Sequence, residues 1–351
     1  MNYIFRDREF IRTPENLFFC VIGDQHPRDK AISYLRYALS SSGNWGKDSK
    51  NFRRTMPEYS IPHLLKNIRY LKKKFPQYVF YSDVFNIEIS AVPNSNVSQQ
   101  YMPQEKLKQL SKIKEPDILQ KRALEIVTYI SETVKIPKEV FGITGSILID
   151  IHNTKFSDVD LTVMGGKNGF KLKKALPDLF LEKDGPMNYV SENVLKKLFA
   201  ARVKEHHLSF DEIKALNNRQ WNYGTFKGTT FSLHTTRSES EIIDSYGDYI
   251  FHSLGLIKGN AIITDISESL FNPHIYKIKA FKNTEQNKSM DIKEVVTYSG
   301  IYGGKFEVGE NMDMHGKLER VENKINGKLF HRIIIGSPEA DGHDYMKPIK
   351  S

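Results

Sequence analysis

The chain has 351 residues, 39% of them hydrophobic and 26% charged, which is enough apolar material for two or three globular domains and excludes a disordered chain. A single cysteine, Cys20, excludes an internal disulfide framework and a thiolate-based zinc site. The formal charge of +9 tilts the surface toward phosphate-bearing partners, no apolar run is long enough to span a membrane, and Met1 to Glu9 lacks the apolar core of a secretory signal, so a cytoplasmic protein with no membrane contact is expected.

Residues 1–100 read as an N-terminal α/β unit. Asn16 to Gly23 is a continuous apolar run, the pattern of a buried strand ending at a Gly-Asp turn. Asp29 to Leu39 carries Ile32, Leu35, Ala38 and Leu39 at helical spacing and predicts a helix. Ile61 to Phe75 predicts a second helix, with Leu64, Leu65, Ile68 and Leu71 on one face and lysines on the other. Tyr78 to Asp83 and Phe85 to Ser90 read as strands, and Pro93 to Gln100, rich in Asn, Ser and Gln, as a linker or loop.

Residues 101–254 form the second unit. Asp117 to Val134 predicts a long helix with the apolar stripe Leu119, Ala123, Ile126, Val127 and Ile130, followed by a strand over Val140 to Thr144. Helices are expected over Lys171 to Phe180, Glu192 to Lys204 and Phe210 to Asn217, and a strand over Thr229 to Thr236. Within residues 255–351 the pattern changes to short strands separated by Gly and Asn turns: Asn260 to Ile266, Ile275 to Ile278, Glu294 to Tyr298, Met312 to Val321 and Phe330 to Gly336. This spacing predicts a small β-barrel or β-sandwich, of which an OB-like barrel is the favoured form. The fold class is therefore α/β (α+β): a mixed-sheet core, an N-terminal α/β extension and a β-rich C-terminal barrel.

The densest chemistry lies in Thr144-Gly145-Ser146, followed after the eleven residues Ile147 to Ser157 by Asp158-Val159-Asp160-Leu161. Alternate strand residues share a face, so Asp158 and Asp160 point one way while Val159, Leu161 and Val163 point into a core. Two adjacent carboxylates repel, and burying either unpaired is costly. A divalent cation removes that cost. Carboxylate oxygens suit Mg²⁺ or Mn²⁺, which bind between such ligands and substrate phosphates. Gly145 allows close backbone approach to a phosphate, and Ser146 adds a hydroxyl donor.

This string resembles the signature of the DNA polymerase β-like nucleotidyltransferases: Gly-Ser, a spacer of about a dozen residues, then Asp-hydrophobic-Asp on a strand. Across most of its length the chain is similar to an archaeal branch of that superfamily. The likeness is carried by Thr144-Gly145-Ser146, Ser157 to Leu161, Tyr246-Gly247-Asp248-Tyr249 and Gly316-Lys317-Leu318-Glu319. The resemblance implies that Asp158 and Asp160 hold metal and take the catalytic role, and that Gly145 and Ser146 contact a nucleoside triphosphate. It also implies transfer of a nucleoside monophosphate to a hydroxyl, with RNA the favoured acceptor and a small molecule or protein side chain the alternatives. A third carboxylate is implied on a neighbouring strand. Here the sequence departs, because Ser232 and His234 occupy the candidate positions. His234 reads as an ordinary strand histidine or as a general base. Glu239, Glu241 and Asp244 lie just downstream as substitutes. The departure leaves a second reading open, a nucleotide- or RNA-binding protein on the same fold with little or no turnover.

Other candidates have simpler readings. Lys155 and Arg237 are within reach of a phosphate by sequence but also suit a solvated loop and a strand end. His206 and His207 are adjacent and face different sides of a helix. Arg69, Lys72, Lys73 and Lys74 suit the solvated face of an amphipathic helix. Tyr298, Tyr302 and Phe306 would stack bases if exposed and fill a core if not.

Overall fold

The computed structural model describes residues 3–47, 50–56, 60–192, 194–196, 200, 203 and 208–349. Among these residues the chain is a mixed α+β protein built on three sheets. The first contains β1 (Phe10–Arg12), β2 (Phe18–Val21), β3 (Lys30–Leu39), β4 (Trp45–Lys47), β5 (Lys50–Arg54), β6 (Val79–Ser82), β7 (Ile87–Pro93) and β8 (Gln99–Tyr101). Its main path runs β4-β5-β3-β2-β1-β8, with β7 joining β3 and β6 joining β7. Helix α1 (Ile61–Lys74) buries Ile68 and Leu71 and leaves Lys72 to pair with Glu88 at 2.7 Å, as an amphipathic helix on a sheet should.

The helix expected over Asp29 to Leu39 is instead β3, the strand to which β2, β5 and β7 all pair. Ala31 and the whole run Ser33 to Ala38 are buried. A strand covered on both faces needs apolar residues at nearly every position, and such a run also contains helical spacings. The expected linker over Pro93 to Gln100 carries a 3₁₀ turn, Asn94–Asn96, and leads into β8, which pairs antiparallel with β1. The helix expected over 192–204 lies largely outside the described residues, as do His206 and His207.

Two helices lead to the second sheet. Helix α2 (Pro103–Leu110) precedes α3 (Ile118–Val134), whose Asp117 accepts from the backbone N–H groups of Leu119 and Gln120 in a capping box. Its predicted stripe, Leu119, Ala123, Ile126, Val127 and Ile130, is buried throughout. The second sheet has the order β11-β12-β13-β10-β9, from β9 (Phe141–Ile143), β10 (Val159–Met164), β11 (Met187–Asn188), β12 (Tyr223–Phe226) and β13 (Thr229–Thr236). β10 runs parallel to β13 and antiparallel to β9. Between β9 and β10 lies the single turn α4 (Gly145–Leu148), and α5 (Gly166–Leu181) follows β10. Val159, Leu161, Val163, Phe231 and Leu233 share one core cluster with apolar residues of α3 and α5. One face of this sheet is thereby covered by helices, and the alternate residues of β10 and β13 look the other way.

The third sheet is a closed barrel. It comprises β14 (Tyr249–Asp265), β15 (His274–Asn283), β16 (Lys288–Ser289), β17 (Ile292–Thr297), β18 (Asn311–Asn323), β19 (Leu329–Ile335) and β20 (Tyr345–Pro348). The path β14-β15-β17-β19-β18 returns to β14 through a long antiparallel β14–β18 ladder, closing five strands. β17 and β19 pair in parallel, and every other pairing in the circuit is antiparallel. Tyr302 and Phe306 fill the barrel's core, which removes them as base-stacking groups; Tyr298 is half exposed. Lys317, Glu319 and Arg332 form a buried ion network within the barrel wall, so Gly316 to Glu319 serve its structure. β14 begins at Tyr249, a few residues before the change in sequence pattern.

The three sheets meet at Arg237, just past the end of β13. Its guanidinium lies 3.5 Å from the buried Asp24 of the first sheet's loops, pairs with Glu268 of the loop entering β15, and covers the Phe271 ring at 4.4 Å. Burial, and then the neighbouring Asp7, push the Asp24 carboxyl up to about 6. Removing one partner of such a cluster leaves its buried carboxylate unpaired. Arg237→Met is expected to cost about 3 kcal/mol of stability in denaturant unfolding, and an unchanged midpoint would show that this junction does not hold the sheets together.

Candidate functional site

Asp160 stands in β10 on the face away from α3 and α5, and Asp158 lies immediately before the strand's first residue, while Val159, Leu161 and Val163 are fully buried against those helices. Parallel pairing sets Asp160 beside Ser232 and Thr162 beside His234. The Ser232 hydroxyl donates to Asp160 Oδ1 at 2.5 Å, and His234 Nε2 lies 3.1 Å from the same hydroxyl oxygen. With the hydroxyl proton committed to Asp160, Nε2–H must be the donor to Ser232, which fixes the His234 tautomer. Burial, with Arg8 and His274 nearby, lowers the His234 pKa well below its ordinary value, so the ring is neutral at physiological pH.

Gly145 lies against Asp160. It has φ of +65°, and a Cβ there would come within 2.2 Å of Asp160 Oδ2. Any other residue would collide with the carboxylate and strain the backbone. Ser146 follows in α4 and is 3% exposed, so its hydroxyl is withdrawn from solvent while Gly145 makes the contact. The loop between α4 and β10 is pinned on several sides. Lys106 pairs with Asp150, His152 Nε2 lies 2.7 Å from Asp117 of the α3 cap, and Ser157 Oγ accepts from Asn153 N at 2.9 Å. Leu148, Ile149 and Ile151 pack into an apolar cluster with Phe18, Tyr34, Tyr37 and Phe52 of the first sheet, and Gly46 N donates to Ile151 O at 3.2 Å. The spacer between the two motifs thus docks on the first sheet.

The other sequence candidates are engaged elsewhere. Glu241 accepts from Gly166 N and Ser238 N, both at 2.8 Å, and Glu239 pairs with Arg6. Asp244 sits near Asp248, which raises its pKa after burial does. Lys155 lies in an exposed loop, and Arg237 is committed to the junction described above. Sequence reasoning missed Trp45, Arg54, Tyr223 and Thr230, which join Phe156, Ser157 and Asp158 around a cavity of about 200 Å³. No spacing in the sequence links β4 and β5 to residues so far along the chain, and no signal in this chain alone points to them.

The negative charge of Asp160, followed by burial, pushes the Asp158 carboxyl up to about 6, against the pull of Arg54 and Arg36. Two close carboxylates, neither in an ion pair among the described residues, fit one hard divalent cation that takes its remaining ligands from water or phosphate. They do not fit a two-ion set, because no group of three or more His, Cys, Asp or Glu side chains is placed to hold metal among the described residues. A raised carboxyl binds its proton more tightly in the folded chain than in the unfolded one. Metal-free protein is therefore destabilised by Asp158 at high pH and relieved as pH falls from about 6 toward 4. Asp158→Asn should raise stability by about 1–2 kcal/mol at pH 8 in chelator and by almost nothing near pH 4. Thermal melts across that range test this, and an asparagine variant less stable than wild type at pH 8 would contradict it.

No family model matches the chain, and no solved structure matches it. Among the described residues no helix is long and apolar enough to cross a membrane. The chain is similar to the uncharacterized protein MJ1086 of Methanocaldococcus jannaschii, with 30% identity over 344 residues that cover 97% of this chain and 98% of the relative. That identity over essentially the whole of both proteins, rather than over one motif, means that this chain and MJ1086 belong to one family.

Proposed function

We propose that the chain is a metal-dependent nucleotidyltransferase, moving a nucleoside monophosphate from a nucleoside triphosphate to a hydroxyl, with RNA the favoured acceptor class. The observation that carries this reading is the pair of carboxylates Asp158 and Asp160 at the entry to β10, close enough for each charge to be felt by the other, with Gly145 packed against Asp160. The mixed sheet, with helices on one face and carboxylates on the other, supports the small α/β core that the sequence resemblance implies. The barrel's circuit, with its single parallel pair β17–β19, agrees with an OB barrel, a fold used for single-stranded nucleic acid.

Asp158 and Asp160 would hold one Mg²⁺ or Mn²⁺. When bound, such an ion neutralises charge on the transferring phosphoryl group and orients it for in-line attack. Ser232 fixes the Asp160 carboxylate through its short hydrogen bond, and His234 fixes Ser232. His234 donates to that chain and is a weak base, so its role is to position rather than to take the acceptor's proton.

The same geometry favours a second reading. Ser232 stands beside Asp160 where a third carboxylate would complete a two-ion site. Nucleotide binding with slow or no turnover follows if nothing else supplies that charge. Calorimetric titration with ATP and Mg²⁺ tests what the readings share: Asp158→Asn with Asp160→Asn should weaken binding by about 10- to 100-fold while the fold survives. Equal affinity in both proteins would reject both readings. Release of pyrophosphate with RNA present separates them. Transfer by wild type supports the enzyme, while binding without release, restored by Ser232→Asp, supports the second reading.

A further inference from the structure

We infer that the first sheet supplies the phosphate-binding cation of this site, Arg54, and that the cavity beside Asp158 receives the phosphate chain of the ligand. The inference rests on the nucleotide reading above and adds a role for the N-terminal unit.

The cavity of about 200 Å³ lies between the β4–β5 hairpin and the entry to β10 and β13. Its wall contains a carboxylate from the second sheet, Asp158, and a guanidinium from the first, Arg54. The two line the same cavity, yet they form no ion pair. Among the described residues no carboxylate pairs with Arg54 at all. Its guanidinium is held in place without being neutralised. It sits 4.9 Å from the Trp45 ring centroid, and Nη2 donates to the Tyr37 hydroxyl at 3.4 Å. Trp45 is itself fixed edge to face against Tyr37 at 5.6 Å and Phe156 at 5.3 Å.

A half-buried arginine locked by aromatic rings, with its charge unspent beside an anion-lined metal position, suits a ligand carrying both signs of partner. A metal-bound triphosphate is such a ligand, since its oxygens take the guanidinium fork while its cation meets Asp158. The side walls fit the same chemistry. Ser157, Tyr223 and Thr230, all hydroxyl-bearing residues, are among the cavity's lining. With Arg54 covering its face, Trp45 is occupied as a platform for the arginine, which argues against base stacking there and for phosphate.

The test uses intrinsic fluorescence. The chain has two tryptophans, and Trp221→Phe leaves Trp45 as the reporter beside Arg54. Mg²⁺ with ATP, and Mg²⁺ with inorganic tripolyphosphate, are titrated into this protein and into Arg54→Gln, Arg54→Lys and Arg53→Gln in the same background. Arg53 is the control, because it points to the opposite side of β5 and is exposed. Both ligands should change the Trp45 emission, and Arg54→Gln should lose about 10- to 100-fold in affinity for each. Arg54→Lys should lose less, and Arg53→Gln nothing. Circular dichroism melts establish that each variant is folded. Unchanged affinity in a folded Arg54→Gln overturns the inference, and if ATP binding still depends on Asp158 and Asp160 the nucleotide reading survives. Tripolyphosphate binding that needs Arg54, without ATP binding, upholds the anion site and rejects the nucleotide reading. Binding of neither ligand by the parent protein rejects both.

Discussion

Two carboxylates one residue apart at the entry to β10 are the constraint around which the second sheet is organised. Asp158 and Asp160 are separated by a single residue, Val159, whose side chain is buried in the core. Their repulsion is written into the raised Asp158 pKa. The surroundings soften that repulsion only in part. Ser232 donates to Asp160, Gly145 gives up a side chain so that the carboxylate fits, and Arg54 of the first sheet approaches without closing an ion pair to either carboxylate. A protein that needed only a stable strand would gain by replacing one of these aspartates. Their retention in a half-buried position costs stability, and a bound cation is the simplest way to offset that cost.

The first sheet shares in the site rather than decorating it. The loop that separates Gly145 from Asp158 carries Leu148, Ile149 and Ile151, and these are buried among Phe18, Tyr37 and Phe52 of the first sheet. Thr144 donates its hydroxyl to Arg8 O, tying the turn before Gly145 to the N-terminal segment. The position of the carboxylates therefore depends on packing between two sheets, and Arg54 arrives at the cavity through the same packing. The barrel is joined to both by Arg237, while the Phe85–Phe251 stack at 5.5 Å and, just before β14, the Ser82–Tyr246 hydrogen bond of 2.7 Å tie it to the first unit alone. Tyr246 thus has a structural use in the fold.

What was legible in the sequence was local and periodic. The shared face of Asp158 and Asp160, the buried stripe of α3 and the strands of the barrel follow from side-chain period alone, and they gave the mixed α+β class with a small C-terminal barrel. The β3 segment has helical spacing in the sequence because a strand buried on both faces loses the alternation that marks a strand. Tyr302 and Phe306 could not be told from surface aromatics until the barrel closed around them. Ser232 and His234 were identifiable as the residues beside the aspartates, but the hydrogen-bonded order Asp160, Ser232, His234 required the parallel register of β10 and β13. Arg54 and Trp45 were invisible, since their meeting with Asp158 is a tertiary contact between distant segments.

On the reading proposed above, this carboxylate pair takes one divalent cation rather than two or none. Counting bound Mn²⁺ by electron paramagnetic resonance, in the presence of a non-hydrolysable nucleoside triphosphate, addresses it most directly. One tightly held Mn²⁺ per chain is expected, with further ions bound only weakly, because among the described residues two carboxylates and a serine leave no second set of ligands. Two tightly held ions, or no ion held above the level of the nucleotide alone, would contradict it.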